Sequence, residues 1–343
     1  MNAIQLRRIV LDAAEHVPFY RRHWKRAGVD LTRVYSATHL EFLPVVTRDD
    51  LLNCPAEDRL DRRYLGQPLL RARACASSGE AFELPLDKRT QRRQRLRFWN
   101  ALRDVGYLPG ERLMLISETP LPASAALLRW THADAALSDD TLIAKCMKSR
   151  PAVLCAPLNT LARLAARVSE SRNAMWLPRL VVSTSGHLTD ANRTLLESAF
   201  RGNVADFCST PELGLIAYSK PGLPGYQLPG AEFHVETLHS VGQRRGPERL
   251  LVTDLISAAM PLIRFDTGDF AVPDLARSRA LAPTSILGFT ARSPLWAEHT
   301  RTALAPVAAR EAAASGLAGE LAGGLAGRLA RPGLSDAFAQ GSI

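Results

Sequence analysis

Residues 249–270 limit what this chain can fold into more than any other stretch. They read Arg-Leu-Leu-Val-Thr-Asp-Leu-Ile-Ser-Ala-Ala-Met-Pro-Leu-Ile-Arg-Phe-Asp-Thr-Gly-Asp-Phe. Leu250–Asp254 is a short β-branched and aliphatic run ending in an acid, the pattern of a buried strand. Met260–Phe265 reads as a second such run, with Asp266, Thr267, Gly268 and Asp269 as the polar turn that closes it. Gly268 frees the backbone to bend, so Asp269 is expected to leave a carboxylate at the strand's exit. A carboxylate so placed accepts hydrogen bonds from two vicinal hydroxyls.

Upstream, helix and strand patterns alternate. Residues 1–30 read as helices carrying an apolar anchor of Phe19, Tyr20 and Trp24. Thr47 is a plausible N-cap, with Asp49 and Asp50 in the first turn to complement the helix dipole. The run FWNALRDVGYLPGERLMLIS gives a helix, a glycine stop at Gly106, a Pro-Gly turn and a strand, one αβ unit of an open sheet. Ala152–Cys155 reads as a strand leading into an amphipathic helix with Leu158, Leu161 and Leu164 on its core face. Leu180–Val182 is another buried strand, ending in Ser183, Thr184, Ser185, Gly186 and His187 before a capped helix over Thr189–Phe200. His187 is a binding candidate only, because a lone histidine is usually structural. His234 and His239 flank the strand Phe233–Leu238 and are expected on the surface.

Taken together, the segments LVTDL and AMPLIRFDTGD resemble the nucleotide-binding signature of the adenylate-forming enzymes, in particular the phenylacetate–CoA ligase-like branch. The entry AAEHVPFYRRHWKRAGVD followed by LEFLPVVTRDDLL resembles the same branch. So does NVADFCSTPELGLIA at 203–217, which matches its aromatic-Gly-Ser/Thr-Thr-Glu element. The resemblance implies that Asp269 holds the ribose hydroxyls of ATP and of an acyl-adenylate. It implies that Glu212 helps hold Mg²⁺, a hard ion suited to carboxylate oxygen, and that Thr210 contacts phosphate. Ser185, Gly186 and His187 fall at the turn used beside the adenine, although the family carries an acid where His187 stands. Arg264 and Arg292 would add positive charge, Arg292 from the family's Gly-Arg hinge.

The chain also departs from that pattern. Ser77, Ser78 and Gly79 fall where the family cradles the ATP phosphates, but the loop is about three residues short and lacks the second glycine. Glu80 and Glu83 bring negative charge towards it. Cys208 stands where an aromatic packs on adenine, Ser209 replaces a glycine and Pro211 a threonine; Pro211-Glu212 also fits the first turn of a helix. No lysine follows Lys220, so the lysine of the family's C-terminal lid is absent, and Ala303–Ala330 is an Ala/Gly/Leu-rich tract of weakened helical character.

Charge and cysteines narrow the alternatives. The net charge of +9 gathers around Lys88–Arg103, on several faces of one helix, and no nucleic-acid motif accompanies it. The five cysteines (Cys54, Cys75, Cys146, Cys155 and Cys208) have neither zinc-site nor redox spacing and are expected to be reduced, packed thiols. A compact acyl-transfer subunit like the acyl-protein synthetase of bacterial luminescence would want a late acceptor cysteine, and the last one here is Cys208. No apolar run is long enough to span a bilayer and the N-terminus lacks a signal-peptide core, so a cytoplasmic protein is expected.

The expected fold is α/β: an adenylation-type domain over residues 1–292, with mixed sheets and flanking helices, and a truncated lid or tail over 293–343. The expected activity is ATP- and Mg²⁺-dependent activation of a carboxylic acid, an aromatic one among the candidates. CoA or a carrier protein is the candidate acceptor. The alternative is a catalytically degenerate homologue acting as a nucleotide- or acyl-binding or partner subunit; a homodimer is a candidate assembly in either case.

Overall fold

The structure, a computed structural model, describes residues 3–34, 36–75, 81–118, 120–121, 123–170, 176–229, 232–238, 248–273 and 285–291. Cys75's side chain, residues 76–80, His239 and everything from Arg292 onward lie outside the described residues, so the expectations placed on them are carried no further by geometry.

The chain opens with α1 (Ala3–His16), α2 (Pro18–Arg26) and α3 (Arg48–Leu52). Thr47 caps α3 in a full capping box with Asp50, as the sequence predicts. Two antiparallel strands follow, β1 (Leu70–Cys75) and β2 (Ala81–Leu86), and then the basic helix α4 (Lys88–Asp104). Next come β3 (Leu113–Ser117), β4 (Trp130–Asp134), α5 (Asp139–Ser149), β5 (Val153–Ala156), α6 (Leu158–Glu170), β6 (Leu180–Ser183), α7 (Asp190–Phe200) and β7 (Asn203–Thr210). The remaining strands are β8 (Gly214–Ser219), β9 (Tyr226–Gln227), β10 (Phe233–Leu238), β11 (Glu248–Asp254), β12 (Phe265–Pro273) and β13 (Ser285–Ala291).

One mixed sheet runs β10-β11-β12-β13-β9-β8-β7-β6-β5-β3-β4. From β4 to β7 it is parallel, and from β7 to β10 antiparallel. The parallel half explains its own sequence. Strands buried on both faces read as unbroken apolar runs, and all four residues of β5 and of β6 are buried. Alternate residues face different layers. Met114, Leu154, Val181 and Val204 pack under α5, α6 and α7, whereas Leu113, Val153, Leu180 and Ala205 pack under Ala101 and Leu102 of α4. The antiparallel half is covered by α1 and α2, with Phe19, Tyr20 and Trp24 all buried against Leu250, Val252 and Phe265.

Three sequence expectations are corrected. Met260–Arg264 is not a strand but a buried irregular segment; β12 begins only at Phe265. Pro261 has no N–H for a ladder, and the Tyr20 hydroxyl takes over instead, donating to the Pro261 carbonyl at 3.0 Å and accepting from the Ile263 N–H at 2.9 Å. Asp266–Asp269 therefore does not close a strand. It lies inside β12, where Leu251 pairs Asp266 and Arg249 pairs Phe270, so residues 267–269 form a bulge opposite Leu250. Finally, His234 sits within β10 and is buried, because the first half of that strand is covered on both faces.

Candidate functional site

The parallel strands end on one side of the sheet, where α/β folds bind their ligands. The C-terminal end of β6 runs into Thr184, Ser185, Gly186 and His187, and the end of β7 into Pro211 and Glu212. Gly186 adopts φ +96°, and a Cβ there would come within 2.9 Å of the Leu158 Cβ, so α6 can approach the turn only against glycine. The approach is fixed by the Leu158 N–H, which donates to the Ser185 carbonyl at 2.9 Å. Ser209 ties the two strand ends together, donating to the Thr184 carbonyl at 3.1 Å.

Residues 211–213 form the tight turn between β7 and β8 rather than the start of a helix. The Thr210 hydroxyl accepts from the Leu213 N–H at 3.2 Å and so braces that turn from inside. Glu212 emerges with its side chain fully buried. Its Oε1 accepts from Arg48 Nε at 2.6 Å, while its Oε2 is buried with no hydrogen-bond partner among the described residues. An unpartnered buried carboxylate oxygen is costly, and its presence marks the place where a ligand's cation or donor would be accepted.

The β12 bulge approaches from the antiparallel half. Thr267 donates to the Leu250 carbonyl at 3.1 Å and accepts from the Asp269 N–H at 3.2 Å, and Asp266 Oδ1 accepts from the Gly268 N–H at 3.0 Å. Gly268 has φ +78°, the left-handed conformation the bulge requires. These bonds turn the buried Asp269 towards β7, with its Oδ2 4.0 Å from Cys208 Sγ. Asp266, on the outer side of the bulge, pairs with Arg249.

Arg48 joins the two halves. Burial works against its charge, but the Glu212 carboxylate outweighs that, with Asp269 and Asp266 adding to the effect, and holds the guanidinium above its ordinary pKa. The sequence reading missed this residue. One signal was available: a cation at the first position of a helix opposes the helix dipole, so its place there needs a partner from elsewhere in the fold.

The structure thus brings Glu212, Thr210, Ser209, Cys208 and Asp269 together with Ser185, Gly186 and His187 near the ends of β6 and β7. It does not bring Arg264 with them. That side chain bonds Glu236 at 3.1 Å and the carbonyls of Glu41 and Leu43, and the residue adopts φ +50° in the irregular segment before β12. Cys208 is buried, as are Cys54, Cys146 and Cys155, and none of these four is in a disulfide. Burial pushes the Cys146 thiol up to about 12, and Cys155 higher still, which keeps both protonated and inert. A separate surface cavity, lined by Arg8, Asp12, Arg63 and Arg89 among others, lies between α1 and the Leu255–Pro261 segment and shares no residue with the site.

The fit of Mg²⁺ can be tested on Glu212. Among the described residues no group of three or more His, Cys, Asp or Glu side chains is arranged to hold a metal. Mg²⁺ commonly takes only one or two carboxylates and completes its shell with phosphates and water. The orphaned Glu212 Oε2 suits that one role.

No family model matches the sequence, and no curated protein does. Among solved structures the fold is matched by 2-hydroxyisobutyryl-CoA ligase. Its open conformation with 2-hydroxyisobutyryl-AMP and CoA superposes with TM-score 0.66 at 18% identity, covering 85% of this chain and 72% of that one. Its thioesterification state, again with the adenylate and CoA, gives TM-score 0.67 at 18% identity over 84% of this chain and 67% of that one. A postadenylation state gives 0.65 at 19% identity over 84% and 66%. The chain has the α/β fold of the N-terminal domain of an adenylate-forming enzyme, and it spans about two thirds to three quarters of the ligase's length. Among the described residues no helix is long and apolar enough to cross a membrane.

Proposed function

We propose that this protein activates a carboxylic acid with ATP and belongs to the adenylate-forming enzymes, in their phenylacetate–CoA ligase-like branch. The observation that carries the reading is the meeting of Glu212, Arg48 and Asp269 beside the end of β7, in a fold that, in 2-hydroxyisobutyryl-CoA ligase, holds an acyl-adenylate and CoA.

In this reading the acid's carboxylate oxygen attacks the α-phosphorus of ATP in line, the bond to the β-phosphate oxygen breaks and pyrophosphate leaves. The protein's share is orientation and charge neutralisation. Asp269, held by the bulge, accepts from the ribose hydroxyls. Thr210 and the loop residues Ser77, Ser78 and Gly79 would contact the phosphates, and Ser185, Gly186 and His187 would line the adenine side. Glu212 would hold Mg²⁺ through Oε2, where the ion supplies charge neutralisation for the phosphates. Arg292 would reach the nucleotide from the hinge, and residues 293–343 would form the reduced lid beyond the domain of residues 1–292. CoA or a carrier thiol is the acceptor that would displace AMP. Arg264 has no part in this account, since its donors are engaged within the fold.

The test is ATP–pyrophosphate exchange with the full chain across a panel of aryl, aliphatic and hydroxy acids. At least one acid should drive exchange, and Glu212→Gln should lower it by about a hundredfold, the scale of a lost charge-stabilising group. Exchange with no acid would favour the alternative, a nucleotide- or acyl-binding partner subunit. The buried Cys208, standing where the family places an aromatic ring, is the observation on that side.

A further inference from the structure

The sheet is finished unevenly at its β4 end. β4 pairs with β3, and among the described residues its outer edge carries no strand. The two strands are parallel neighbours, and the crossover between such strands is usually an α-helix. Here residues 118–129 make the connection, and the helix described in it is a 3₁₀ turn over Ala123–Leu128. β3 to β4 steps along the sheet in the opposite sense from β4 to β5, β5 to β6 and β6 to β7. A right-handed connection therefore runs over the α4 face, away from α5, α6 and α7. That face is thinly covered near β4. Trp99, Leu115 and Trp130 are only partly buried there, and Leu127 and Leu128, directly before the strand, are 86% and 42% exposed.

The bonds to β3 fix which groups face the free edge. The Leu113 N–H donates to the Arg129 carbonyl at 3.3 Å, and the Ala135 N–H donates to the Ser117 carbonyl at 3.4 Å. In this parallel ladder Arg129, Thr131, Ala133 and Ala135 thus turn backbone groups towards β3, and the N–H and C=O groups of Trp130, His132 and Asp134 point outward. We propose that β4 is the seam at which two copies of this chain pair antiparallel about a twofold axis at His132, joining their sheets. In that register His132 exchanges both bonds with its counterpart, and Trp130 exchanges both with Asp134 of the second copy. Every outward group of the strand is then met, and no other register in the same phase meets as many. The Asp134 carbonyl already accepts from the Leu137 N–H at 3.2 Å, and its second lone pair serves the seam. Charge agrees as well. The strand is entered from the exposed Arg129 and left at the exposed Asp134, so antiparallel pairing lays the cationic end of one copy beside the anionic end of the other. Leu127 and Leu128 fall at the two ends of the seam, where the second copy takes them out of water. A twofold pairing also closes on itself, so it saturates an edge that would otherwise invite open-ended association. β3 and β5 separate this edge from the ends of β6 and β7, so the dimer stands or falls apart from the nucleotide reading.

Sedimentation equilibrium of the full chain tests this on the wild type, His132→Pro, His132→Ala and Leu127→Asp. The wild type should sediment at twice the 37.5 kDa of one chain at micromolar concentration. His132→Pro removes an N–H that β3 does not use, in both copies at once, and proline is tolerated at such an edge position. It should weaken the dimer about thirtyfold or more, the scale of two lost hydrogen bonds. His132→Ala removes the ring, whose Nε2 lies 2.9 Å from the Ser117 carbonyl, but keeps the N–H, and should remain dimeric. Leu127→Asp changes a side chain too exposed to hold the fold, and should weaken the dimer about tenfold or more. Thermal unfolding of each variant separates a lost dimer from a lost fold. A wild type that stays monomeric at about 100 μM overturns the proposal; slow amide exchange at Trp130, His132 and Asp134 in that monomer would assign the edge to another segment of the same chain. A dimer that either His132→Pro or Leu127→Asp leaves intact overturns it as well, because its interface then lies elsewhere. So does a dimer that His132→Ala breaks as fully as His132→Pro, which would put the ring and not the strand edge at the contact.

Discussion

Two buried groups on neighbouring strands should give this protein opposite and nearly cancelling pH dependences, and each should be exposed by removing the other. Asp254 ends β11 with its Oδ1 accepting from the Ile256 N–H at 2.9 Å and the Ser257 N–H at 3.3 Å, while its Oδ2 has no partner among the described residues. Burial pushes its carboxyl from 3.8 up to about 6, against the backbone N–H groups and the pull of Arg97. His234 lies on β10 and is 2% exposed; burial, and then Arg264, push it from 6.5 down to about 4. The register pairs Phe233 with Asp254 and His234 with Thr253, so the two groups point to opposite faces and act separately.

The signs follow from which state binds more protons. Between its two pKa values the folded state holds the Asp254 proton and the unfolded chain does not, so that stability is present at low pH and is lost as pH rises through 6. For His234 the unfolded chain binds the proton first, so that stability is present above 6.5 and is lost as pH falls towards 4. Each shift of about two units corresponds to about 3 kcal/mol, of which about 2 kcal/mol falls inside the range from roughly pH 4 to pH 6.5. Urea unfolding across that range reads both. The stability of Asp254→Asn minus that of wild type should rise by about 2 kcal/mol from the acid end to the neutral end, and that of His234→Asn should fall by about as much. Difference curves that run flat would refute the burial argument for the residue concerned.

Two further predictions concern the frame of the site. Gly268→Ala should cost about 1–2 kcal/mol in chemical denaturation, because φ +78° strains any side chain and the new Cβ presses on Arg48 Nη1; ATP affinity should fall with it, because the bulge carries Asp269, and an unchanged affinity would detach the bulge from the nucleotide. Tyr20→Phe should cost about 2 kcal/mol, since it strips a partner from the buried Pro261 carbonyl and Ile263 N–H together. A loss no larger than that of a surface Tyr→Phe change would mean that the irregular segment satisfies itself.

Much of this architecture was legible because it is local. β5 announces itself as a four-residue apolar run and β6 as the run Leu180–Val182, Thr47 and Thr189 cap the helices their positions suggest, and Gly106 stops α4 with φ +106°. Leu250–Asp254 is a strand as read. The failures are all long-range. Met260–Arg264 has strand composition, but a hydroxyl more than two hundred positions earlier in the chain satisfies its backbone, and no window of sequence contains that partner. Arg48 and Glu212 are likewise 164 positions apart, and Arg48 reads locally as nothing more than the residue after a cap. His234 misleads because β10 lies at the edge of the sheet and yet its ring is buried, with Arg264, bound to the carbonyls of Glu41 and Leu43, acting on it.

The central claim is that the bulge in β12 holds Asp269 for the ribose of a nucleotide. The most direct test is calorimetric binding of a non-hydrolysable acyl-adenylate mimic to the wild type and to Asp269→Asn, which keeps the size of the side chain but loses the charged acceptor. The account predicts a saturable, one-to-one isotherm for the wild type and an affinity at least about tenfold weaker for the variant, the scale of a hydrogen-bond pair to a charged group. Equal affinities would place the ribose elsewhere, and no binding by the wild type would contradict the nucleotide site itself.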